Sequence, residues 1–270
     1  MNDAIEKLHT AIRQYIIDRY NFWTENYREL DALGKGFTVE NGYSDEALSV
    51  IPRYNVLNAI ISEIERHKPT DFSDFEEAKE FFILAVKEAQ NIFTKSSIEA
   101  TDQQTINEER ELLIKYIVQL SESDLSKVRP LYYRYILSKS ESDFVREKLK
   151  TIWNVNGYFY PLENRIREDM EAFQDKYFEQ EFGFERLQEI FWQRGIYRIW
   201  EIREDREDYE MDLSIFEPFG SETFWCDTKF DWLIYCSHES SITFAGSILP
   251  EIKNHWANWQ ERIWTSPFFN

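Results

Sequence analysis

The first half of the chain carries apolar residues at helical spacing. From Ile5 they recur at Leu8, Ile12, Tyr15, Ile16, Trp23, Tyr27 and Leu30, with Gly34 and Gly36 as stop signals. This predicts a long helix over about residues 4–33. Residues 37–43 read as a loop or short extended piece with a turn at Asn41-Gly42. Ser44 is placed to cap a second helix carrying Leu48, Val50, Val56, Leu57, Ile60, Ile61 and Ile64. Pro52 falls in its first two turns or splits off a leading turn, and Pro69 closes it. Asp71, Ser73 or Asp74 caps a third helix with Phe75, Phe81, Phe82, Leu84, Ala85, Ala89, Ile92 and Phe93 as apolar positions. After a polar break at 94–101, a fourth helix is expected at about 105–120. Pro130 opens an aromatic segment, and Ser138 or Ser140 caps a helix through Phe144, Val145, Leu149, Ile152 and Trp153.

Beyond residue 155 the pattern changes. Helices are expected over 168–177 and 185–193, the second closed by Gly195. The period then drops from 3.6 to 2. Strands are expected at 196–202, 209–216, 223–226, 231–237 and 240–244, joined by short polar links that suit antiparallel neighbours. A last helix over 249–264 sets Trp256, Trp259 and Ile263 on one side. The expected fold is α+β: a helical N-terminal part (1–155), then a C-terminal antiparallel β-meander packed by helices (156–270), as two domains or one continuous body.

Composition narrows the function classes. With 50 Asp plus Glu against 31 Lys plus Arg, the net charge is −19, yet 17% of residues are aromatic, which opposes disorder. An acidic chain suits neither a nucleic-acid backbone nor an anionic membrane. The start is charged and amphipathic, without the apolar core of a signal peptide, and no window nears the roughly 18 apolar residues of a membrane span. The protein is expected to be soluble and cytoplasmic. Cys226 and Cys236 are too few for a disulfide framework. They read as buried free thiols, although neighbouring strands leave a bridge open.

Several constellations could carry chemistry. Asp227-x-Lys229 at a strand end, with Asp212 on the strand before, imitates a metal-dependent nuclease, in which carboxylates hold the ion and lysine stabilises developing charge. The same spacing at Glu77/Lys79 and Glu251/Lys253 falls on expected helices, so a polar hairpin turn explains it equally. Residues 236–241 bring together Cys236, Ser237, His238, Glu239, Ser240 and Ser241, the groups of nucleophilic catalysis. A tight polar turn explains these letters too, and His238 and Glu239 stand out more as contact residues. The acidic run 201–212 lacks the glycine and spacing of a calcium loop and reads as a solvated hairpin. None of the four histidines lies in a metal-binding motif, and no cofactor is expected.

Eight of the nine Trp lie beyond residue 150. Most are expected in the core, with Trp225 and Trp232 as candidate contact residues. The aromatic tail 265–270 is expected to fold back on its own domain. The reading that follows is a non-enzymatic intracellular interaction protein of the immunity, inhibitor or regulatory-subunit type, binding a basic protein partner. The alternative is a metal-dependent hydrolase or nuclease using Asp212, Asp227 and Lys229.

Overall fold

The computed structural model describes residues 2–40, 42–95, 100–204, 207–218 and 222–265, with only the backbone described for 2, 100 and 101. The chain is α+β. It divides into two compact units, Met1–Leu131 and Tyr132–Asn270. The division falls ahead of the 155/156 boundary read from the sequence, because residues 134–136 pair into the C-terminal sheet and the helix after them packs on it.

The helical unit begins with α1 (Asn2–Ala32), followed by a two-stranded hairpin, β1 (Phe37–Thr38) and β2 (Gly42–Tyr43). Asn41 of the expected turn lies outside the described residues. Helix α2 (Asp45–Ile64) starts where Ser44 Oγ accepts the Ala47 N–H at 3.1 Å, and it runs unbroken through Pro52. Helix α3 (Phe75–Glu88) is capped by Asp74, whose Oδ1 accepts the Glu77 N–H at 2.9 Å. It ends earlier than its apolar pattern suggests. Asn91 Oδ1 accepts the Phe93 and Thr94 N–H groups and starts a separate turn, α4 (Ile92–Lys95). Helix α5 (Ala100–Gln119) completes the unit. Its core joins Ile5, Leu8, Ile12 and Ile16 of α1 to Leu57, Ile60 and Ile64 of α2, Phe82 of α3 and Leu113 and Ile117 of α5.

Charged groups are buried in this core. Arg13 meets Glu65 at 2.9 Å, and Glu109 accepts from Arg19, Arg53 and Trp23. His9, one turn before Arg13, places its Nε2 3.2 Å from the Ile64 carbonyl. Burial, reinforced by the Arg13 charge, lowers its pKa to about 3. A neutral His9 contributes stability that is full above its unfolded pKa of about 6.5 and is lost as pH falls toward 3. Between pH 7 and 5 the loss is expected to reach about 2 kcal/mol. Urea midpoints of wild type and His9→Met at both pH values check this. Equal pH slopes in the two proteins would show that His9 takes up a proton without cost.

The second unit is built on a seven-stranded antiparallel sheet. Its elements are β3 (Arg134–Ile136), α6 (Lys139–Trp153), β4 (Met170–Gln174), a short α7 (Asp175–Tyr177) and α8 (Phe184–Gln193). Then come β5 (Arg198–Arg203), β6 (Tyr209–Asp212), β7 (Thr223–Cys226), β8 (Trp232–Ser237), β9 (Ser241–Gly246) and α9 (Leu249–His255). The order across the sheet is β3-β6-β5-β7-β8-β9-β4. Both faces are covered. Trp232, Ile234 and Cys236 of β8 point into a core with Phe191 of α8 and Ile252 of α9, whereas Leu233 and Tyr235 meet Val145, Leu149 and Trp153 of α6.

Three expectations are corrected. Residues 168–177 form strand β4 and one helical turn instead of a helix, because pairing with β9 from Met170↔Ala245 to Gln174↔Ser241 overrides the helix-forming letters of 170–174. Strand 209–216 stops at Asp212, where a 3-10 turn, Leu213–Ile215, begins. The helix 249–264 ends at His255. The next residue, Trp256, is extended and enters the core, and Ile263 and the Trp264 N–H pair with Phe173 and Ala172 along the outer edge of β4. The tail beyond Thr265 lies outside the described residues.

Candidate functional site

The strands carry the 236–241 cluster to different places. Cys236 faces the core, where its Sγ donates to the Pro218 carbonyl at 3.3 Å and burial pushes its pKa well up. Ser237 and Ser241 are buried and hydrogen-bond each other at 2.7 Å. His238 begins the β8–β9 turn with its side chain half exposed. Its Nδ1 hydrogen-bonds Glu222 Oε1, which also accepts the His238 backbone N–H at 3.1 Å. The Tyr235 hydroxyl donates to the other Glu222 oxygen. Glu239 Oε1 lies 3.3 Å from the imidazole Nε2, and the Tyr158 ring stands edge-on at 6.0 Å.

Glu222 therefore organises the cluster. It is buried and holds a left-handed φ of 50°, a conformation that a side chain enters only when its surroundings fix it. Its hydrogen bond holds the His238 imidazole above its usual pKa, aided by the charges of Glu222, Glu239 and Glu204. Burial, and then the bond to Glu222, push the Tyr235 phenol far up. The result is an oriented imidazole between two carboxylates, Glu222 and Glu239. The Ser237 and Ser241 hydroxyls are engaged with each other.

Glu222, Tyr235 and Tyr158 do not stand out in the sequence. The signal lies in register: Thr223 pairs with Cys236, so one further step sets Glu222 across from Ser237, next to His238. The same register separates the cysteines. Cys226 lies three rows from the residue opposite Cys236 and in a different core, so both are free thiols.

The other candidates do not converge. Asp212 accepts the Tyr133 N–H at 2.7 Å, while Asp227 accepts the Lys229 N–H at 2.9 Å within its own turn. Strand β5 separates their two strands, and the Lys229 side chain is exposed. Among the described residues no group of three or more His, Cys, Asp or Glu is placed to hold a metal ion. Trp225 and Trp232 are fully buried and act as core, with Trp225 Nε1 donating to Glu201 at 3.0 Å and Trp232 packing on Phe191 at 4.5 Å. Of the acidic run, Glu201 and Asp208 are buried, and Asp208 pairs with Arg146 at 2.7 Å.

A different surface emerges at the end of α1. Leu33, Phe37, Val39 and Tyr43 are 74, 56, 96 and 46% exposed. Phe37 and Tyr43 stack edge to face across the β1–β2 hairpin at 5.1 Å. Glu29, Asp31, Glu40, Asp45 and Glu46 of the same stretch of chain are exposed, and Lys35 is paired with Glu46 at 2.9 Å. Among the described residues no helix is long and apolar enough to cross a membrane. Comparison with family models, curated proteins and solved structures returns no match.

Proposed function

We propose that this is a non-enzymatic acidic interaction protein, of the immunity, inhibitor or regulatory-subunit type, that binds a basic protein partner. The observation that carries the reading is the end of α1 with its hairpin, where Leu33, Phe37, Val39 and Tyr43 are exposed and the same stretch of chain carries five exposed carboxylates. A helix end gains nothing from exposing them, and grouped apolar exposure with a charged rim is the anatomy of a contact surface. These carboxylates favour basic partners and speed their approach, and the net charge of −19 acts in the same direction.

The test uses the full chain as bait in lysate of its native host, at about 0.15 M salt. The expected result is one stoichiometric basic protein, identified by mass spectrometry and lost on a Phe37→Ser/Val39→Asp bait. Both positions are exposed, so the variant is expected to keep the parent melting temperature. Recovery of the same proteins on both baits, or of none, would remove the reading.

A further inference from the structure

A cavity of about 250 Å³ opens between the start of α6 and the sheet beside it, lined by Leu137, Glu141, Phe144, Val145, Trp200 and Glu210 among others. Its walls come from two sources. On the sheet, Trp200 of β5 pairs with Glu210 of β6, which places the indole and the carboxylate side by side on one face. On the helix, Phe144 faces outward and is 51% exposed. Both rings rest on Phe230, Trp200 at 5.4 Å and Phe144 at 6.2 Å, so the buried ring holds them in place.

Glu210 accepts the Tyr133 hydroxyl at 2.5 Å through Oε2, and among the described residues no donor meets Oε1. On the same face, Arg198 lies over Tyr133 at 3.7 Å and 3.7 Å from Asp212. Lys148 Nζ stands 5.6 Å from the Phe144 centroid, so this ring already attracts a cation.

Aromatic faces carry negative quadrupole charge, and a carboxylate beside them adds a full counter-charge. Leu137 and Val145 give the cavity apolar walls that a hard metal ion, which needs six or more oxygens, does not use. The volume suits a head group more than a whole drug-sized ligand. We propose that this cavity binds a weakly hydrated organic cation, a methylated ammonium or a guanidinium, between Trp200 and Phe144 with Glu210 as counter-ion.

The experiment titrates the full chain with choline and with 3,3-dimethyl-1-butanol, its neutral isostere, following the Trp200 indole N–H resonance assigned through Trp200→Phe. Choline is expected to shift that resonance saturably and to bind about ten-fold tighter than the alcohol. Glu210→Gln, whose amide oxygen still accepts from Tyr133, is expected to weaken choline about five-fold and leave the alcohol unchanged. A parallel titration with arginine amide identifies the source: tighter binding than choline points to a protein side chain, weaker binding to a free or methylated ammonium. Equal binding of choline and the alcohol, or a Trp200 resonance that none of the probes moves, would overturn the proposal. Neither outcome bears on the hairpin, which is read from Phe37 and Val39.

Discussion

Replacing Arg13 with Ala is expected to destabilise the helical unit by about 3–5 kcal/mol, among the largest effects of any single substitution there. The Arg13 guanidinium sends Nε and one terminal nitrogen to Glu65 Oε1 at 3.1 and 2.9 Å, and the two side chains are 3 and 0% exposed. Glu65 follows the last turn of α2, and Arg13 sits between Ile12 and Ile16 on the buried face of α1. Removing the guanidinium leaves a carboxylate without its counter-charge in a low-dielectric core and opens a cavity as well. The pair itself adds little net stability, because taking both ions out of water costs about what their attraction returns. Arg13→Met/Glu65→Leu, which keeps the volume and removes both charges, is therefore expected to recover to within about 1 kcal/mol of the parent. Urea unfolding gives both numbers, provided the slope with denaturant stays constant. A loss below about 1 kcal/mol for Arg13→Ala would show that water reaches the pair.

The sequence pattern reveals most of the helical unit and little of what occupies its interior. Ile5, Leu8, Ile12 and Ile16 declare α1 through their period, but His9 and Arg13 lie on the same stripe and look there like interruptions. Their partners, the Ile64 carbonyl and Glu65, are more than fifty residues away. In the sheet unit, β8 is legible as an apolar run and β9 as an alternation of Ile242 and Phe244 with Ser241 and Thr243, both strands being buried on both faces. Strand β4 is not, since Met170, Glu171, Ala172 and Gln174 favour a helix and only the edge of β9 makes them extended. The same holds for the His238 cluster: His238 and Glu239 are visible as a polar turn, while Glu222, which orients His238, is found only through strand register. Local chemistry is written in the sequence, and pairing across the sheet decides which of it meets.

Gly246→Ala is expected to cost about 3 kcal/mol or more, although it adds one methyl group. Gly246 closes β9 at φ 71°, and its N–H donates to the Asp169 carbonyl at 2.8 Å, so its backbone is fixed from outside. A Cβ there would press into the Asp231 carbonyl and approach Trp153 Cη2 at 2.6 Å. Neither neighbour yields easily: the carbonyl belongs to the backbone leading into β8, and the fully buried indole carries the Arg167 guanidinium stacked on it at 4.2 Å. Two costs are combined, the left-handed conformation and the close approach. Gly195 separates them, because it has nearly the same φ, 73°, with open space where a Cβ would stand. Gly195→Ala is expected to cost about 1–2 kcal/mol, the conformational part alone. The difference between the two variants in urea unfolding then measures the contact with Asp231 and Trp153. Equal losses would mean that the end of β9 moves away at no cost, and that the packing of α6 on this face is looser than the buried indole implies.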